Sequence, residues 1–132
     1  MSKTRFELGT EKLMEIDGAG GENVINTLAG IAPDVGKYIV EFAFGDIYSR
    51  KELSLQEREM ITIACLLTAG GCEPQLEVHI NGSLNVGTVP EKIIETFIQC
   101  IPYTGFPRVL NAIFIAKKVF AERHIHIMDE TR

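Results

Sequence analysis

Three residues concentrate the chemistry this sequence can do: His79, Cys72 and Glu59. In the stretch Cys72-Glu-Pro-Gln-Leu-Glu-Val-His79, helical spacing puts Cys72, Gln75, Leu76 and His79 on one stripe. A histidine beside a thiol and an amide on a mostly buried stripe is placed for proton transfer, and its ordinary pKa of about 6.5 suits that task. The same spacing also fits a core histidine bonded to a carbonyl or carboxylate, and spacing alone favours that structural role. Cys72 falls at a helix start, where backbone amides can lower a thiol pKa. Adjacent Glu73 opposes the effect, and the position where a second thiol would stand is Gln75. Taken alone, Cys72 reads as an inert small residue at a packed junction.

Glu59 adjoins an apolar run, so partial burial would require an opposite partner. A carboxylate that orients a histidine is a recurrent arrangement; the competing reading is a solvated glutamate near the helix dipole's positive end. Neighbouring Glu57 belongs to a capping box, and Arg58 is expected to face outward or toward a partner. No His-x-x-x-His or Glu-x-x-His pair, glycine-rich phosphate loop or Gly-x-Ser-x-Gly elbow occurs. His124 and His126 would diverge on a helix, so no metal site is expected.

Positioning these groups falls to about seven helical segments. The first runs from about 4 to 17 and stops at a loop or hinge, Gly18-Ala-Gly-Gly21; the second covers 22 to 29. Pro33 opens the third, which reaches 48. Ser54-Leu-Gln-Glu57 is a capping box that starts the fourth, which is apolar around most of its girth and expected to be the most buried. The fifth begins near Cys72 and ends at Gly87, a glycine suited to a left-handed cap. Thr88-Val-Pro-Glu91 is a second capping box for the sixth, which Pro102 terminates; the seventh covers about 107 to 123. The tail, 124–132, is expected either to fray or to pack on a partner chain. Asn81-Gly82 lies inside a helical pattern, not between alternating runs, so the fold class is all-α with no sheet.

The 132 residues suit a single domain, 1–132, with N-terminal helices over about 4–48. With 45% hydrophobic and 23% charged residues, wholesale disorder is excluded. A net charge of −5 without clustered Lys and Arg argues against nucleic acid. No apolar stretch approaches the roughly 18 residues that cross a bilayer, so no membrane association is expected. The first residues lack a signal peptide's apolar core, and three scattered cysteines suit a reducing compartment. A cytoplasmic location is expected. Broadly apolar helices in a chain this small also hint at an oligomer.

Taken in order, Glu52-Leu-Ser-Leu-Gln-Glu-Arg-Glu-Met-Ile-Thr-Ile-Ala64, Gly70-Gly-Cys-Glu-Pro-Gln-Leu-Glu-Val-His-Ile-Asn-Gly-Ser-Leu-Asn-Val-Gly-Thr-Val-Pro-Glu-Lys-Ile93 and Gln99-Cys-Ile-Pro-Tyr-Thr-Gly-Phe-Pro107 resemble the carboxymuconolactone decarboxylase family. The likeness spans about Glu52 to Phe120, with the family core placed at about 52–123. It implies an all-helical trimer or hexamer needing no metal or organic cofactor and acting on a small-molecule substrate. One branch decarboxylates a lactone; the other, alkylhydroperoxidase D-like, uses a Glu…Cys-x-x-Cys-x-x-x-His relay as a thiol peroxidase. That relay maps onto Glu59, Cys72, Gln75 and His79, with Gln75 replacing the second cysteine and one extra residue between Glu59 and Cys72. The resemblance turns His79 into the expected proton donor, Glu59 into its orienter and Cys72 or Tyr103 into a lining group. Arg58 or Arg108 would pair with a substrate carboxylate. Two alternatives stand beside decarboxylation: a peroxidase using Cys72 alone, and a non-catalytic helical assembly.

Overall fold

Every regular element in the computed structural model, which describes residues 2–127, is helical, as the periodicity requires. Helix α1 covers Arg5–Ala29 and α2 covers Pro33–Tyr38, continuing directly into a π-helical stretch, Ile39–Ile47. Then come α3 (Leu55–Ala69), α4 (Glu73–Asn85), α5 (Pro90–Thr104) and α6 (Phe106–Glu122). None is long and apolar enough to cross a membrane. The chain forms two compact units, Met1–Arg58 and Glu59–Arg132.

In the first unit, Thr4 opens α1 with a capping box: its hydroxyl accepts from the Glu7 amide at 3.1 Å while Glu7 accepts from the Thr4 amide at 3.1 Å. The glycine run is a hinge, not a loop: Gly18 alone leaves helical geometry (φ 52, ψ −130), and the two expected helices meet there at a kink within α1. Glycine weakens a helix by about 1 kcal/mol without forbidding it, and packing of α1 on the π stretch outweighs that cost. The close approach has a specific cause at Gly9, where a Cβ would sit 1.8 Å from the Val40 carbonyl oxygen. The Tyr48 amide donates five residues back to Ala43 at 2.9 Å, a π-type bond. Arg5 grips Asp46 with two bonds of 3.0 and 2.7 Å. Leu13, Ile16, Val40 and Phe44 are buried.

The Ser54–Glu57 capping box forms as read, with bonds of 3.1 and 2.8 Å. Its expected counterpart at Thr88 does not: Val89 caps α5 without a side-chain bond, and the Thr88 hydroxyl is buried with no hydrogen-bond partner among the described residues. Pro102 does not end α5 either. It lies in the last turn, where only one intrahelical bond is forfeited, and α5 closes at Gly105, whose amide donates to Ile101 at 3.0 Å.

The second unit's core is built around α6, which packs against both α4 and α5 and buries Val109, Ala112, Ala116, Val119 and Phe120. α3 is therefore not the most buried helix. It turns Glu59, Ile63 and Leu67 inward and leaves Ile61 half exposed. Past α6, His124 adopts φ 58 and donates to Ala121 at 3.1 Å, while Ile125 donates to Phe120 at 2.8 Å and packs on the core. That is a Schellman cap with histidine where glycine is usual. The last five tail positions, 128–132, lie outside the described residues.

Candidate active site

The capping box fixes where α3 begins, and so which way Glu59 points: one and two turns on, Ile63 and Leu67 share its inward stripe. On α4, buried Leu76 and Ile80 flank His79 and anchor that face of the helix. The two helices thereby bring Glu59 Oε1 to 2.9 Å from His79 Nδ1. The Glu59 side chain is 0% exposed and that of His79 17%. An ionised carboxylate can only accept, so Nδ1 donates, which fixes the tautomer and stabilises the imidazolium. The other carboxylate oxygen, Oε2, is buried with no hydrogen-bond partner among the described residues. Ser83 donates to the His79 carbonyl at 2.8 Å, tying α4 down one turn further on.

Cys72 stands apart from this pair. Seven residues of helix separate it from His79, about 10 Å along the axis, and its thiol donates to the Gly70 carbonyl at 3.5 Å. It borders a cavity of about 130 Å³ together with Leu66, Leu67, Arg108 and Asn111. The Arg108 guanidinium donates to the Thr68 carbonyl and lies across Gly70, where a Cβ would come within 2.8 Å of Nε. Gly70 also has φ +72, so the backbone calls for glycine there, while the guanidinium, the end of a flexible side chain, would only have to shift. Asn111 escaped the sequence reading; its signal is a polar residue one turn beyond Arg108 in an otherwise apolar run.

The remaining candidates scatter. Arg58 donates to the Arg50 carbonyl at 3.1 Å. Gln75 is exposed on α4. Tyr103 is 84% exposed and borders neither described cavity. A second, more apolar cavity of about 460 Å³ runs between α3 and α5, with Met60, Ala64 and Thr96 in its walls. Cys100 also lines it, and burial, with Cys65 nearby, pushes its thiol pKa up. That is the opposite of activation.

The described residues thus form an all-helical fold that holds a buried carboxylate against an imidazole. The Carboxymuconolactone decarboxylase family matches residues 33–118, starting earlier than the motifs quoted above, and the chain belongs to that family. It is 30% identical over 119 residues to 4-carboxymuconolactone decarboxylase of Acinetobacter baylyi, covering 89% of this chain and 88% of that protein. It is 27% identical over 105 residues to a nitrosuccinic acid decarboxylase of Metarhizium robertsii, covering 77% and 73% respectively. An uncharacterized 15.0 kDa protein of Paracoccus denitrificans is 30% identical over 93 residues, 70% of this chain and 69% of that one.

Proposed function

We propose that this chain is a decarboxylase of small carboxylated lactones or related ring acids, working by proton transfer through His79 and using no metal or organic cofactor. The Glu59–His79 bond of 2.9 Å carries the reading. Loss of carbon dioxide leaves an electron pair that a lactone carbonyl can delocalise, and an imidazolium then delivers a proton to carbon. Glu59 orients the ring and stabilises its charged form. Arg108, with Asn111 beside it in the smaller cavity, takes a carboxylate that the substrate keeps. Gln75, Tyr103 and Arg58 serve as secondary contacts. Two relatives whose names state decarboxylation of acids support this chemistry.

The test is carbon dioxide release from 4-carboxymuconolactone. His79→Ala should lower turnover by at least about 100-fold, the scale of general acid–base catalysis, with helical content unchanged. His79→Ala turning over at the wild-type rate sinks the proposal. A second reading, peroxide reduction at Cys72, draws on the thiol's position in a cavity beside Arg108. It requires a sulfenic acid at Cys72 after hydrogen peroxide and an external thiol to reduce it; decarboxylation unaffected by Cys72→Ser separates the two. We further propose a single functional domain over 1–132, a cytoplasmic location, which suits three free cysteines, and a homo-oligomer, trimer or hexamer.

A further inference from the structure

Two apolar stripes lie exposed, one in each compact unit. Along α2 and the π stretch, Val35, Tyr38 and Phe42 follow helical spacing and are 45%, 63% and 58% exposed. Ile31, just before α2, is 83% exposed. On α6, Phe106, Leu110 and Phe114 are 64%, 45% and 62% exposed and fall within an arc of about 80° at helical pitch. Single exposed apolar residues are ordinary; aromatic residues repeated along one helix face form a seam that water leaves unsatisfied.

The stripes differ in charge. Asp34, Lys37 and Glu41 edge the first, leaving one net negative charge, and none of the three is in a salt bridge among the described residues. The charged residue on the second face is Lys117, three residues past Phe114 and likewise in no salt bridge. Lys118, about 40° past Phe114, is taken up by Glu77 at 2.7 Å, while Arg108 and Glu122 project elsewhere around α6 at this pitch. Self-pairing of either stripe gathers like charge, whereas cross-pairing sets Lys117 against Asp34 or Glu41.

We infer that the α2–π stripe of one copy of this chain packs against the α6 stripe of a second copy, a head-to-tail contact that uses different patches on the two copies. The inference rests on the homo-oligomer reading above and assigns its surface. Light scattering after size exclusion, applied to the full chain, tests it. Wild type should be an oligomer. Phe42→Asp and Phe114→Asp should each run at monomer mass with unchanged circular dichroism. Mixed in equal amounts they should form a dimer and nothing larger, because each variant keeps one intact stripe. Lys117→Glu should weaken assembly roughly fivefold, the upper range for a rim charge pair, and Asp34→Lys with Glu41→Lys in the same chain should restore it. An oligomeric wild type whose Phe42→Asp variant stays assembled, or a mixture that stays monomeric, overturns the seam while leaving oligomerisation standing. A monomeric wild type overturns both.

Discussion

Removing the imidazole from His79 leaves a carboxylate that is 0% exposed without the donor now 2.9 Å away. Breaking a buried charged pair from one side costs about 3–5 kcal/mol. His79 is itself 17% exposed, so water can enter the vacated volume, and the lower figure, about 3 kcal/mol, applies. At an m-value of about 2 kcal/mol/M, that moves a urea midpoint down by roughly 1.5 M. Glu59→Gln keeps an acceptor facing Nδ1 but gives up the charge, which accounts for about half of such a bond, and should cost about 1–2 kcal/mol. In the double variant the orphaned group is a neutral amide, so the two losses should fall short of adding by at least about 1 kcal/mol. Urea titration followed by circular dichroism measures all three. Additive losses, or His79→Ala as stable as wild type, would refute the claim that the two side chains act as a buried pair.

Backbone clashes, caps and strain elsewhere in the fold lead to further outcomes. Gly9→Ala drives a methyl into the Val40 carbonyl, 1.8 Å from the new Cβ, and should destabilise by about 3 kcal/mol or more, seen as a lowered melting temperature. His124→Gly relieves a left-handed residue at φ 58 and should raise stability by about 1 kcal/mol in the same melt. Backbone hydrogen bonds to Thr4 and Ser54 hold Glu7 and Glu57 below their ordinary value of 4.5. A lowered folded-state pKa contributes stability above the unfolded value and loses it as pH falls through the folded one. Glu7→Gln and Glu57→Gln, which remove the titrating acceptor of those backbone bonds, should therefore destabilise at pH 7 and progressively less below about pH 4.5, by denaturation at several pH values; a constant gap across that range counts against the caps.

Much of the fold was legible because its signals are local. Ser54 and Glu57 cap α3 through atoms three residues apart, and Pro33, Pro74, Pro90 and Pro107 all fall in first turns. What escaped depends on neighbours distant in sequence. Gly18 interrupts the helix as expected, but Gly20 and Gly21, read with it as a loop or hinge, stay helical. The π stretch has no signature in residue spacing, since its additional residue per turn is matched to Gly9, some thirty positions away. Thr88-Val-Pro-Glu91 matches a capping box as letters, but burial took the hydroxyl elsewhere. In the site, Glu59 and His79 were individually ambiguous, and only the family resemblance brought them together. The separation of Cys72 from that pair follows from α4's length, which spacing on a single face conceals.

The guanidinium lying across Gly70 has an evolutionary consequence. Position 70 answers to two constraints, a left-handed backbone and a side chain from α6, and only the first is intrinsic to the turn. Asn and Asp tolerate left-handed geometry, so a relative with a short residue at position 108 frees position 70 to carry either. A relative that keeps arginine at 108 must swing the guanidinium aside to carry either. Across the family, Asn or Asp at 70 should then be rarer beside Arg at 108 than beside a short residue there, a bias between positions nearly forty residues apart that can be counted in an alignment.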